Sequence, residues 1–194
     1  MKKYLVSLAI LVASSLNAKA QFTLGVKGGL NISQINTDNL TQSSVAGYQV
    51  GAWARIGKGF YVQPELYLSG KGGKFDFVTS NTTKESGTLR FTTLDVPVLV
   101  GESFGTSHLN IRVMAGPMYS YILNSSDNFS ANIKNAYADF GNYNNSTLGY
   151  QAGVGVDLGM ISVDARYEGG LTKINEKYGQ RENLFHLSLG FKIL

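Results

Sequence analysis

The 194-residue chain carries 17 basic and 13 acidic residues and no cysteine, and its mean hydropathy is −0.04. That hydropathy argues against a bundle of membrane helices, and the missing cysteines exclude a disulfide scaffold. If Lys2, Lys3 and Lys19 leave with a leader, 14 basic residues face 13 acids, so the basic footprint of a nucleic-acid-binding protein is absent.

The chain opens with Lys2 and Lys3, an apolar run from Tyr4 to Leu16, and Ala18-Lys19-Ala20. This order predicts a secretory leader over 1–20, cut before Gln21, and residues 21–194 as one domain. Ser7, Ser14 and Ser15 interrupt the run, which is shorter than the roughly 20 residues a membrane helix needs.

After the leader, about eight stretches alternate with a period of two, the signature of strands with one apolar face. The first puts Phe22, Leu24, Val26, Gly28 and Leu30 on one face and Lys27 on the other. The second (46–56) sets Tyr48, Val50, Ala52, Ala54 and Ile56 against Gln49, Trp53 and Arg55. The third (60–70) sets Phe60, Val62, Leu66 and Leu68 against Tyr61, Gln63, Glu65 and Tyr67. In the fourth (89–100), Leu94, Val96, Val98 and Val100 oppose Thr93, Asp95 and Pro97. The fifth has Leu109, Ile111, Val113 and Ala115 opposite Asn110 and Arg112. The sixth sets Tyr150, Ala152, Val154 and Val156 against Gln151 and Asp157. The seventh sets Ile161, Val163, Ala165 and Tyr167 against Asp164, Arg166 and Glu168. The last puts Phe185, Leu187, Leu189, Phe191 and Ile193 opposite His186, Ser188 and Lys192.

The polar segments between them alternate long and short, with long ones expected at 33–44, 71–88, 124–146 and 172–182. An up-and-down barrel with short turns on the periplasmic side gives this rhythm. Pro64 and Pro97 fall inside strand-like runs, which weakens those two strand assignments or implies bulges there. A soluble eight-stranded barrel also alternates, but its polar face would be the outer one. Here that face is rich in glycine and holds Lys27, Arg55, Glu65, Arg112, Asp157, Asp164, Arg166, Glu168 and Lys192, which suits a crowded lumen. The expected fold is therefore all-β, an eight-stranded antiparallel up-and-down transmembrane barrel.

The chain resembles the small outer-membrane β-barrel family of Bacteroidetes-type bacteria, the PorT-like or "outer membrane protein beta-barrel" domain. The likeness rests on Gly25-Val26-Lys27-Gly28-Gly29-Leu30-Asn31, Gln63-Pro64-Glu65-Leu66, Leu94-Asp95-Val96-Pro97-Val98-Leu99 and Ala115-Gly116-Pro117. It continues through Gly153-Val154-Gly155-Val156-Asp157, Asp164-Ala165-Arg166-Tyr167 and Gly170-Leu171. The resemblance implies an eight-stranded barrel in the Gram-negative outer membrane and no single activity, because such folds host many roles.

The nine inward charges are expected to fill the lumen as salt bridges, with Asp164 and Arg166 pairing to groups such as Glu65 or Arg112; a narrow conduit or a binding cavity is the alternative. His186-Leu187-Ser188 is similar in spacing to the histidine and serine of outer-membrane lipid A deacylases. Both residues, however, belong to the inward face, so no catalytic role is expected of them. The two histidines are far apart, and neither a metal site nor a cofactor is expected. Ser69-Gly70-Lys71-Gly72-Gly73-Lys74 opens no helix, so it is no phosphate loop. It reads as an external loop whose lysines, with Lys84 and Arg90, could meet anionic lipopolysaccharide groups. Aromatics near strand ends (Phe22, Tyr48, Phe60, Tyr119, Tyr121, Tyr167, Phe185) suit interfacial girdles. The expected function is non-enzymatic, structural or partner-binding through four long external loops. A narrow pore is the second reading and a lipid-modifying enzyme the third. Outer-membrane lipid and lipopolysaccharide, and a protein partner at the loops, are the expected partners; nucleic acid is not.

Overall fold

The computed structural model describes residues 22–36, 41–78, 84–106, 108–128, 144–175 and 180–194. The expected leader over 1–20 lies outside them. Eight strands follow one another: β1 Phe22–Asn36, β2 Thr41–Lys58, β3 Phe60–Val78, β4 Lys84–Gly105, β5 Leu109–Asp127, β6 Ser146–Leu158, β7 Ile161–Gly170 and β8 Arg181–Lys192. Each pairs antiparallel with the next. β1 also pairs with β8, from Gly25↔Lys192 to Asn36↔Arg181, and so closes the barrel. Closure leaves no edge in the bilayer, where an unpaired backbone group would cost several kcal/mol.

Alternation decides which side chain sees lipid. Val26, Val50, Leu66, Val98, Val113, Val154 and Leu187 point outward and are exposed, whereas Lys27, Gln49, Glu65, Arg112, Gln151 and His186 point inward and are buried. A polar interior behind an apolar exterior inverts a soluble barrel and is stable only in a membrane. Aromatic rings mark both ends of the apolar band, with Phe22, Phe60 and Phe104 at the short-turn end and Tyr48, Tyr121, Tyr150 and Phe185 at the other. Tyr167 stacks edge-on against Phe185 with ring centroids 5.2 Å apart. Val154 sits mid-band, between Val113 and Ala165. Its replacement by arginine should cost about 2–4 kcal/mol, read as a lower urea midpoint, because a charge on the lipid face loses its hydration. A Lys74→Thr control should stay within about 0.5 kcal/mol, as expected of an exposed site.

Three sequence expectations need correction. The segments 33–44 and 71–88 are mostly strand rather than loop, so the first and second outer connections shrink to 37–40 and 79–83. Only 128–145 and 171–180 are long. The physical reason lies in a phase change. Within the band the apolar residues of β3 are even-numbered (Leu66, Leu68), but farther out the buried apolar residue is Phe75, while Lys74 is exposed. β4 does the same, with Leu89 and Phe91 buried and Arg90 exposed. Once a strand leaves the bilayer its outer face meets water, so the apolar residues turn inward and the pattern inverts.

The Gly-rich run from Ser69 to Lys74 accordingly belongs to β3, and Lys71 is buried in the lumen. Nor do Pro64 and Pro97 make bulges. The β3–β4 register is the same at Pro64↔Val98 and Tyr67↔Asp95, and the β4–β5 register the same at Pro97↔Met118 and Val100↔Ala115. Proline removes a ladder donor without inserting a residue. The shifts fall instead between Ser44 and Gln49 and between Thr92 and Thr93. At the inner end, Gly159 takes a φ of +60°, which lets a two-residue turn join β6 to β7.

Candidate functional site in the lumen

The lumen is filled by side chains from all eight strands, and its charges form two linked groups. In the inner group, Asp157 of β6 receives Arg55 of β2 at 2.7 Å, Arg112 of β5 at 2.9 Å and Lys192 of β8 at 3.0 Å. The Ser162 hydroxyl also donates to Asp157 at 2.5 Å. Arg112 continues to Asp164 at 2.6 Å, and Arg166 lies 2.7 Å from Asp164 and 2.8 Å from Glu65. Glu65 then pairs with Lys27, whose ammonium also sits 3.9 Å from the Tyr67 ring centre. The side chains of Arg112 and Glu65 are fully buried.

The outer group has one lysine among acids. Lys71 of β3 lies 2.6 Å from Glu168, 3.0 Å from Asp95 and 3.7 Å from Glu182. Glu168 also meets His186 Nε2 at 2.9 Å and accepts from Gln151 at 2.9 Å. Gln151 in turn donates to Tyr67 at 2.5 Å, which joins the outer group to the inner one. Above it, Phe75, Leu89, Phe91 and Leu184 are buried on the inward face, and Ile174 of the β7–β8 connection is buried with them.

All nine residues singled out in the sequence point into this space. Lys27, Arg55, Glu65, Arg112, Asp157, Asp164, Arg166 and Lys192 lie in the inner group, and Glu168 lies in the outer one. Asp164 meets Arg112, and Arg166 meets Glu65. Four members of the outer group escaped that selection: Lys71, Asp95, Glu182 and His186. The usable signal was parity, since Lys71 continues the inward series Glu65, Tyr67 and Ser69. His186 and Ser188 are both buried in the lumen, away from the lipid face where an acyl chain would lie.

Glycine makes the density possible. A Cβ built on Gly155 would lie 2.2 Å from Asp164 Oδ1 and 2.7 Å from Arg112 Nη2. The guanidinium therefore packs directly over bare backbone. At the inner end the filling stops short, leaving an open bowl of about 970 Å³ floored by Arg55, Asn110, Asp157 and Lys192.

A closed eight-stranded barrel with a lipid-facing apolar band and an ion-paired lumen defines a small outer-membrane β-barrel protein. The family model for the "Outer membrane protein beta-barrel domain" matches residues 13–176, and the chain belongs to that family. No curated protein sequence matches the chain. Among solved structures it is similar to Ail, the attachment invasion locus protein of Yersinia pestis, at 12% identity and a TM-score of 0.53, covering 89% of this chain and 99% of that one. Ail has also been solved in complex with the heparin analogue sucrose octasulfate. OprG of Pseudomonas aeruginosa is similar at 12% identity and a TM-score of 0.53, covering 90% of this chain and 97% of that one. At such identities the likeness concerns the fold. The protein resides in the outer membrane.

Proposed function

We propose that this barrel is a non-enzymatic surface protein that presents its outer end to a protein partner, and that its lumen is a rigid filling rather than a conduit. One observation carries the reading. β2 to β5 run to 18, 19, 22 and 19 residues, whereas about 9–11 suffice to cross the bilayer. The surplus, at 41–44, 73–78, 84–92 and 122–127, forms a four-stranded sheet standing above the outer girdle.

This sheet is paired internally from Thr41↔Asp76 and Val78↔Lys84 to Leu89↔Asp127. Its outward residues include Lys74, Arg90, Asn124 and Ser126, all exposed. Ordering so many residues outside the membrane costs backbone entropy of about 1–2 kcal/mol each. A preformed sheet gives a partner a surface that needs no further ordering on contact. Arg90 and Lys74 also place positive charge where the outward face leaves the bilayer, within reach of anionic lipopolysaccharide groups.

The test has two parts. The refolded mature barrel, checked by heat-modifiable migration, should give no stable current in a planar bilayer. A photo-crosslinker at Lys74 or Arg90 on intact cells should yield a discrete protein adduct, while one at Val154 should yield lipid adducts alone. Reproducible channels would move the function to transport and sink the reading.

A further inference from the structure

We infer that the bowl at the inner end of the barrel is a binding site for a small multivalent anion of the periplasm, one bearing phosphate or carboxylate groups. The bowl opens between the short turns, which face the periplasm in barrels of this class. Its volume of about 970 Å³ is within the range of small-molecule sites. What distinguishes it from a mere end of the lumen is its charge.

Asp157 is the one acidic side chain lining the bowl, and three cations converge on it: Arg55, Arg112 and Lys192. Following the ion pairs inward does not restore the balance. Among the described residues, the inner group sets five cations against the carboxylates of Glu65, Asp157 and Asp164. Two positive charges are left over among side chains that are buried or, for Lys192, half-buried, so a further counter-charge would be favoured there. Lys58 adds a further cation on the wall of the bowl.

Arg55 and Lys192 both line the bowl while still holding Asp157, so an incoming oxyanion would meet two charged donors already fixed in direction. Fixed donors of this kind give the strong, short bonds typical of guanidinium and ammonium with oxyanions. The outer group carries the opposite excess, one lysine against three carboxylates. An anion is therefore favoured at the inner mouth and disfavoured farther up, which confines it to the bowl.

The chain supplies its own reporter. Trp53 is the single tryptophan, and the Arg55 guanidinium lies 4.8 Å from its ring centre. Emission from the refolded mature barrel in neutral detergent should change saturably on titration with tripolyphosphate or with citrate, and the stronger of the two fixes the ligand class. Lys192→Gln, at a partly exposed position at the end of β8, should fold normally and raise the midpoint about tenfold, the value of one charged hydrogen bond. Arg55→Gln, read by calorimetry because it alters the reporter, should weaken binding at least as much. Arg90→Gln, on the outer sheet, should leave the midpoint unchanged. No saturable change with either anion, or equal weakening by Arg90→Gln and Lys192→Gln, would overturn the assignment.

Discussion

Replacing Lys71 by methionine should lower the stability of the barrel by about 3–5 kcal/mol, the usual consequence of removing one partner from a buried ionic cluster. The effect should be large because Lys71 is the lone lysine facing Asp95, Glu168 and Glu182, and its side chain is fully buried. Methionine keeps most of the volume, so the loss measures charge rather than packing. The checking measurement is the urea midpoint of the refolded protein, followed by Trp53 emission and by heat-modifiable migration. Adding Asp95→Asn and Glu182→Gln to the same chain should return part of the loss, because each removes an acid left without its cation. A Lys71→Met barrel as stable as the parent would mean that the ammonium contributes no more than it costs to desolvate.

Lys71 also shows where the sequence was legible and where it was not. The inward or outward side of nearly every band residue follows from parity, because lipid on one side and a packed lumen on the other give a strict period of two. That rule places Arg55, Arg112 and Glu168 in the lumen without coordinates. It fails at the membrane boundary. Beyond Leu68 the environment of the outer face changes from hydrocarbon to water, and Lys71 to Lys74 then has the composition of a loop. Polarity cannot tell a loop from a strand that is wet on one face. The inverted phase of Phe75, Leu89 and Phe91 is the signal that separates them, and it emerges only when parity is followed through the polar stretch. Apart from the pairing of Asp164 and Arg166 with Arg112 and Glu65, which acid meets which cation was beyond reach for another reason. Pairing across the lumen depends on barrel closure, and Arg55 and Asp157 come from strands that are not neighbours.

The same bookkeeping of neighbours predicts that in the inner group the acids, not the cations, are the sensitive positions. Glu65→Leu should cost about 3–5 kcal/mol. It leaves the buried Lys27 ammonium without its carboxylate and deprives Gln63 Nε2 of the Glu65 oxygen it donates to at 2.6 Å. Arg166→Met should cost clearly less, although each substitution deletes two ion pairs. Glu65 would keep Lys27, and Asp164 would keep Arg112 at 2.6 Å. The double variant Lys27→Met with Glu65→Leu should recover more than half of the single loss. The unpaired charge is then gone, and Arg166 still has Asp164 at 2.7 Å. Urea midpoints of the four proteins, the parent among them, decide the matter. If Arg166→Met proved as damaging as Glu65→Leu, the inner group would hold no spare positive charge, and the electrostatic reason for an anion in the bowl beneath it would be lost as well.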